Sequence, residues 1–180
     1  MSKKYFRWLG GKPIFDFCNT IMIHPESKRE LIENVEDLQR WFAHIGHEDL
    51  DITPDILEAM IELRGELRAA FLVLLEDEDR GVNLLNQILE KHQTRLKIQP
   101  SHKNYQIQYF TDQAPKGIIL SELVKIFENI NLSRIKICYN ERCSHFFYDT
   151  SKANRRKWCD MDSCGNKMKA KRFYARQKEA

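Results

Sequence analysis

Hydrophobic positions recur along much of the chain at the three- and four-residue steps of amphipathic helices. The clearest case runs from Thr53 towards Glu78, where Thr53 suits an N-cap and Pro54 suits the first helical turn. The apolar stripe that follows predicts a long helix that buries one face in a core. Its members are Ile56, Leu57, Met60, Leu63, Leu67, Phe71 and Leu74.

Shorter patterns predict further elements on both sides of this helix. The acidic stretch Glu76–Asp79 is expected to be a solvated helix end that stops near Gly81. Residues 1–132 are therefore expected to form a mostly helical domain with a small β-hairpin. Its other predicted elements are a helix from a cap at Asn34 to about Ile45, a helix over Val82–Glu90, a hairpin of Arg95–Gln99 and Tyr105–Tyr109 around Pro100-Ser-His, and a helix of about Ile118–Ile130.

Composition and charge narrow the class of protein. The 180 residues are 42% hydrophobic, which is typical of a folded chain of one domain and a small appendage. No apolar run reaches about 18 residues, and the N-terminus has no signal-peptide pattern, so we expect a cytoplasmic protein. Residues 1–132 carry 16 basic and 21 acidic side chains, whereas residues 133–180 carry 13 and 5. The basic C-terminal segment could bind a polyanion such as nucleic acid. On charge alone, a solvated tail is the simpler interpretation.

Four of the five cysteines lie in this basic segment, as two Cys-x4-Cys pairs separated by fifteen residues. Two short-spaced pairs are typical of a tetrahedral zinc site, although the commonest ribbons use a two-residue spacing. Disulfides or redox use would need an oxidising compartment or a Cys-x-x-Cys motif, and this sequence lacks that motif. The predicted ligands of one Zn²⁺ ion are Cys138, Cys143, Cys159 and Cys164.

Four thiolates complete the coordination of zinc, so the predicted metal has a structural role and is not a Lewis acid. His145, two residues after Cys143, could replace a ligand, but we expect it at the surface or beside the ligands. Metal binding would supply the folding free energy that such a small segment lacks, on the order of 10 kcal/mol in zinc-finger peptides.

The predicted finger consists of a hairpin and a helix, as in zinc-ribbon or treble-clef modules. Alternation predicts short strands at Arg134–Cys138 and His145–Asp149, and a helix is predicted over Lys167–Arg176. We expect the side of this helix with Ala170, Phe173 and Tyr174 to pack on the hairpin. The aromatic residues expected in the core of the finger are Trp158, Phe146 and Phe147.

Basic side chains surround the second cysteine pair, as phosphate binding requires. Nothing in the basic helix distinguishes duplex DNA from RNA, and a protein partner also stays an alternative. The candidate phosphate-binding residues are Arg155, Arg156, Lys157, Lys167, Lys169, Lys171, Arg172 and Arg176.

These motifs resemble two known families. The C-terminal segment resembles the CGNR-type zinc finger, and Pro13-Ile-Phe-Asp16-Phe-Cys-Asn19-Thr20 is similar to the Leu-Asp-Phe-x-Asn-Thr signature that opens the ABATE domain. The resemblance implies a bacterial transcription regulator with a helical N-terminal domain, residues 1–132, and a DNA-binding finger, residues 133–180. The finger motifs are Cys138-x4-Cys143, Phe147-Tyr-Asp149-x-Ser151, Arg156-Lys-Trp-Cys159 and Cys164-Gly-Asn-Lys167.

The sequence departs from the CGNR pattern at two basic positions. Lys167 stands where the family motif ends in Arg, and Lys157 replaces the second Arg before Trp-Cys. Lysine keeps the charge but loses the planar fork that binds phosphate or guanine through two hydrogen bonds. If these positions contact nucleic acid, we expect binding that is less strict in geometry.

The polar residues of the ABATE signature have two interpretations. Asp16, Asn19 and Thr20 could satisfy backbone donors as capping groups, or they could anchor a small-molecule effector in a pocket with Arg7 or His24 nearby. Capping is the simpler expectation.

No catalytic motif is recognisable, so we do not expect an enzyme. Cys18 near His24 is the best candidate nucleophile, yet its apolar neighbours favour a buried structural cysteine. A homodimer is expected on functional grounds, because one small module contacts only a short stretch of DNA.

Overall fold

The computed structural model describes residues 5–24, 26–101, 104–129 and 131–178. Within these residues, no helix is both long and apolar enough to cross a membrane. In chain order the elements are α1 (Pro13–Cys18), β1 (Ile21–His24), β2 (Ser27–Glu30), α2 (Val35–His44), α3 (Pro54–Glu76), α4 (Glu78–Lys91), β3 (Arg95–Ser101), β4 (Asn104–Phe110), α5 (Ala114–Asn129), β5 (Ile135–Ile137), β6 (Phe146–Tyr148) and α6 (Asn166–Lys178). The fold is mostly helical with small hairpins, as predicted.

The chain forms two compact units that do not follow its linear order. The helical unit is Ile32–Asn131, and the finger unit combines Met1–Leu31 with Leu132–Ala180. The domains predicted from the sequence, 1–132 and 133–180, group the first 31 residues with the helices, whereas the compact units group them with the finger. Hydrogen bonds between distant parts of the chain are invisible in local patterns.

The helical unit begins with two capped helices. Asn34 caps α2 by accepting a hydrogen bond from the Asp37 amide at 2.8 Å, and the Thr53 hydroxyl accepts one from the Ile56 amide at 3.4 Å. Both predicted caps are confirmed. The buried side of α3 follows the predicted stripe from Met60 onward. The largest fully buried side chains of this unit are Trp41, Phe42, Phe71, Ile32, Leu38, Met60 and Leu63.

The acidic stretch is an exposed helix end, as predicted, but the following helix begins earlier than predicted. Asp77 ends α3 and also caps α4, where its carboxylate accepts a hydrogen bond from the Arg80 amide at 3.1 Å. Gly81 therefore lies inside α4 and not at a helix end. A Cβ at Gly81 would lie 2.2 Å from Leu74 Cα, so glycine allows α3 and α4 to approach closely.

The hairpin predicted between the helices is present. Strands β3 and β4 pair antiparallel from Arg95 opposite Phe110 to Ser101 opposite Asn104. Helix α5 begins at Ala114, earlier than predicted. His102 of the predicted turn and the predicted helix end at Ile130 lie outside the described residues.

Within the described residues, the finger unit contains the hairpins β1–β2 and β5–β6 and the α-helices α1 and α6. Strands β1 and β2, which the sequence did not predict, pair from Ile21 opposite Glu30 to His24 opposite Ser27. The predicted hairpin of the finger is confirmed as β5 and β6. A π-helical turn over Met161–Gly165 leads directly into α6.

Candidate metal centre and nucleic-acid interface

The sulfurs of Cys138, Cys143, Cys159 and Cys164 form one cluster. All four Sγ atoms lie within 4.8 Å of one another. Cys159 Sγ is 3.7 Å from both Cys143 Sγ and Cys164 Sγ. Zinc–sulfur bonds of about 2.3 Å in a tetrahedron place the sulfurs roughly 3.8 Å apart, so the cluster fits Zn²⁺.

Local backbone structure explains how pairs with four intervening residues can work. In the first pair, the Cys143 amide donates to the Asn140 carbonyl at 2.7 Å, and the Cys138 amide donates to the His145 carbonyl at 2.9 Å. In the second pair, Cys164 lies in the π-helical turn over Met161–Gly165, and the Gly165 amide donates to the Asp160 carbonyl at 3.0 Å, directly after Cys159. Each pair therefore presents two sulfurs to one point.

Polar groups around the sulfurs orient them and favour their charged form. The Cys159 amide donates to Cys138 Sγ at 3.4 Å, and Asn140 Nδ2 donates to Cys164 Sγ at 3.5 Å. His145 Nδ1 lies 3.4 Å from Cys143 Sγ, and this side chain is only 4% exposed. His145 is therefore buried beside a ligand and does not lie at the surface, which leaves four cysteines as the ligand set.

Proton affinity differs among the clustered cysteines. Hydrogen bonds with Cys143 and Cys159 lower the pKa of Cys138. Hydrogen bonding to Cys138 raises the pKa of Cys143 to about 12, and hydrogen bonding to Cys138 and Cys143 raises the pKa of Cys159. A divalent ion that binds at the cluster must displace the protons that these cysteines hold.

The core of the finger forms around these ligands. Phe147 is fully buried and packs with three of the cysteines, while Leu9 and Trp158 cover the cluster from positions that are partly buried. Phe146 is also fully buried. The predicted aromatic core of the finger thus matches the structure. Four sulfurs complete the shell, so the zinc is structural.

A buried carboxylate that the sequence analysis did not single out joins the hairpin to the following loop. Asp149 is completely buried and lies 2.6 Å from the Lys136 ammonium group. Its carboxylate also accepts hydrogen bonds from the amides of Ser151 at 2.9 Å and Arg156 at 2.8 Å. Burial by itself would raise the pKa of Asp149, but these three donors hold it below the ordinary range. In the sequence, only the position of Asp149 in the finger motif could have indicated this structural role.

The ABATE signature residues are buried and bonded to the chain itself. Asn19 pairs with the backbone of Phe146, donating from Nδ2 to its carbonyl and accepting from its amide, both at 2.8 Å. Asp16 accepts a hydrogen bond from the Gly10 amide at 2.7 Å, and Thr20 donates to the Phe17 carbonyl at 2.7 Å. Burial raises the pKa of Asp16 to about 6 although backbone donors oppose this shift.

Further contacts attach the N-terminal segment to the finger. The Tyr148 amide donates to the Gly10 carbonyl at 2.7 Å. A Cβ at Gly10 would lie 2.7 Å from Phe15 Cβ, so this position requires glycine. Arg7 donates to Asp160 at 2.8 Å and to Ser163 at 3.1 Å, beside the second cysteine pair. The N-terminal segment is thus part of the finger unit.

Cys18 and His24 are the remaining N-terminal candidates, and His24 Nδ1 is buried without a hydrogen-bond partner among the described residues. Cys18 is completely buried in α1, as expected for a structural cysteine. His24 lies at the end of β1 and is partly buried.

Most of the predicted phosphate-binding residues are exposed on the loop before Cys159 and on α6. Lys157 lies 5.7 Å from the Tyr139 ring, Arg172 lies 6.0 Å from the Trp158 ring, and Lys171 pairs with Glu141 at 3.1 Å. The exposed members are Arg155, Lys157, Lys167, Lys169, Lys171, Arg172 and Arg176.

Arg156 differs from the other cations. Its guanidinium group donates to the Trp158 carbonyl at 2.9 Å and also to the carbonyl of Cys159. It lies 4.5 Å from the centre of the Phe147 ring. The guanidinium group of Arg156 is therefore bound within the finger, next to the metal ligands.

The prediction that one side of α6 packs on the hairpin is wrong. Phe173 and Tyr174 are 58% and 63% exposed, and Ala170 is exposed as well. Their rings contact each other at 5.7 Å instead of the hairpin. The segment from Lys169 to Gln177 therefore has no buried side. Helical spacing predicted which residues share a side, but it could not show whether a surface lies opposite them.

Comparison with known families agrees with this site. The ABATE family model, described as "Putative stress-induced transcription regulator", matches residues 11–107, and the model of the CGNR zinc finger matches residues 134–177. No curated protein matches the chain. The four clustered cysteines are thus the metal site of a CGNR zinc finger and bind one structural zinc ion.

Proposed function

The chain belongs to the ABATE family, and we propose on this premise that it is a DNA-binding transcription regulator whose zinc finger contacts the DNA. The observation that carries the proposal is the set of exposed cations on the finger. Within the described residues, these side chains have no acidic partner: Arg155, Lys157, Lys167, Lys169, Arg172 and Arg176.

Unpaired cations on a rigid module are suited to phosphate binding. Each cation that meets a phosphate releases condensed counterions, which favours association without new apolar contacts. Zinc supports this role indirectly by holding the loop and α6 in place, since its four sulfur ligands leave no position for substrate. Arg156 is excluded from the proposed contacts, because its guanidinium group is used inside the finger.

Asp16, Asn19 and Thr20 have a structural role in this proposal. Their hydrogen bonds to the chain support the capping alternative over an effector pocket. Melting temperatures measured against a metabolite panel test this assignment. If a metabolite raises the melting temperature of the wild type but not that of Asp16→Ala, the effector-pocket interpretation would be favoured instead.

Duplex binding is tested by fluorescence anisotropy of labelled DNA with the zinc-loaded chain across salt concentrations. We expect log affinity to fall linearly with log salt, with a slope near −0.9 for each phosphate contacted. Single-stranded RNA serves as the second ligand, and Cys159→Ser serves as the variant with a disrupted finger. A bacterial regulator of this kind would work in the cytoplasm, as a dimer if it reads two half-sites.

Charge variants identify the surface that binds. The double variant Arg155→Gln and Lys157→Gln should reduce the salt slope by about 1.8 and weaken all duplexes alike. Lys125→Gln, an exposed lysine of α5, is the matched control and should change neither quantity. Equal or tighter binding of RNA would favour the RNA-binding alternative. Binding no better than that of Cys159→Ser would reject a nucleic-acid role and favour a protein partner.

A further inference from the structure

Helix α6 is unusual because it exposes aromatic and basic side chains together. It has 13 residues and six cations but no acidic residue. Phe173 and Tyr174 are 58% and 63% exposed, although large aromatic side chains are normally buried in a core or an interface. A solvated charged helix would not need them, so this surface is suited to a partner that offers both negative charge and apolar groups.

One side of α6 combines these properties. Lys169, Arg172, Phe173 and Arg176 follow the i, i+3, i+4, i+7 spacing and therefore share a side, which we name the recognition face. All four are exposed. Arg172 lies 6.0 Å from the ring of Trp158, a contact that limits its freedom before any ligand binds. Lys171 lies on the other side, where it pairs with Glu141.

The dimensions of α6 fit the major groove of duplex DNA. Its 13 residues span roughly 20 Å. A helix with side chains is about 10–12 Å wide, close to the width of about 12 Å of the major groove of B-DNA. The major groove of double-stranded RNA is too narrow and deep for side chains to read. Base edges in the DNA groove offer acceptors to arginine and methyl groups to an aromatic ring.

We propose that α6 enters the major groove with the recognition face towards the bases. Arg176 and Arg172 donate pairs of hydrogen bonds to guanine, and Phe173 contacts thymine methyl groups. Arg155 and Lys157 remain on the phosphate backbone and fix the orientation of the finger. This inference rests on the proposed function and deepens it, since it assigns base reading to one face of one helix.

The test begins with selection of binding sites from a randomised duplex pool by the zinc-loaded full chain. Affinity is then measured for the selected duplex and for a scrambled duplex of equal composition. Arg176→Lys keeps the charge but loses the fork, so it should lower the ratio of the two affinities by roughly 5- to 100-fold with an unchanged salt slope. A role in phosphate binding alone would leave this ratio unchanged.

Two further variants complete the design. Phe173→Ala should weaken the selected duplex alone and leave zinc content and melting temperature unchanged, because the side chain is exposed. Lys171→Gln is the control from the opposite side and should not change the selected sequence.

The outcomes separate this inference from the proposed function. Salt-dependent duplex binding without an enriched sequence would overturn base reading by α6 and leave DNA binding intact. An unchanged affinity ratio in Arg176→Lys and Phe173→Ala would also overturn it. Absence of duplex binding would reject both proposals.

Discussion

The helical unit and the finger unit both have apolar cores but differ in what is added to them. The helical unit buries large apolar side chains such as Trp41, Phe42 and Phe71, all completely inaccessible. The finger unit also buries aromatic side chains such as Phe147, but it depends in addition on four sulfurs, a buried Asp149 and the amide of Asn19. Apolar packing is non-directional and distributed over many atoms, whereas metal and polar interactions fail when one group is lost. Single substitutions should therefore destabilise the finger unit more readily than the helical unit, and zinc removal should affect the finger unit alone.

Loss of a zinc ligand should have the largest effect and should be confined to the finger unit. Cys159 Sγ lies 3.7 Å from two other sulfurs, so Cys159→Ser should abolish most of the zinc contribution, on the order of 10 kcal/mol. Hydrogen exchange of the intact chain should show loss of protection in residues 5–24 and 134–176, with residues 35–129 still protected.

Chelation and return of zinc to the wild-type chain provide the matched control. They should produce and reverse the same exchange pattern. Global loss of protection would contradict the expectation that the effect is confined to the finger unit.

A substitution that creates a cavity in the helical unit should lower the stability of that unit and leave the metal site intact. Leu67 is fully buried in α3, so Leu67→Ala should cost about 2–5 kcal/mol in chemical denaturation. Leu72→Ala in the same helix is the control, because Leu72 is 43% exposed, and its cost should be much smaller. Zinc affinity should be unchanged in both. A fall in zinc affinity would show that the helical core supports the metal site.

A substitution in the ABATE signature should lower the stability of the finger unit and not that of the helical unit. Asn19→Ala removes both hydrogen bonds between its side chain and the buried backbone of Phe146, at a cost of about 2–4 kcal/mol to the finger unit. Thermal unfolding at saturating zinc measures this cost. Asn166→Ala is the control, since Asn166 makes one exposed hydrogen bond at 3.3 Å. Equal stability of the two variants would refute the role assigned to Asn19.

The smallest effect concerns pH. The pKa of Asp16 is raised from 3.8 to about 6, so its protonated form is favoured by folding. Its contribution is fully present below about pH 4 and is lost as pH rises through 6. Relative to the wild type, Asp16→Asn should therefore gain about 2 kcal/mol between pH 4 and pH 7, because asparagine carries no charge. Parallel stability curves for the two proteins would contradict this prediction.

Local chemistry and periodicity account for what the sequence predicts. The cysteine spacing identifies the metal centre, since ligands from two short loops must converge on one ion. The caps at Asn34 and Thr53 are equally local, because donor and acceptor are three residues apart.

Interactions between distant residues account for what the sequence does not predict. Asn19 and Phe146 are 127 positions apart, and no pattern on either side signals their pairing. Burial of the α6 aromatics depends on whether an opposing surface exists, which helical spacing cannot report. Asp77 shows a third cause, because one residue both ends α3 and caps α4.

The pairing of Asn19 with Phe146 also has a consequence for biosynthesis. At about 5–20 residues per second, the 127 positions between them take roughly 6–25 s to translate. During this interval Phe15 and Phe17, both buried in the complete finger unit, have no strand β6 to cover them. The helical unit can fold in the meantime, because its own contacts lie within Ile32–Asn131. The set of zinc ligands is complete only once Cys164 has been synthesised, so the N-terminal segment must wait for both its partner strand and the metal site.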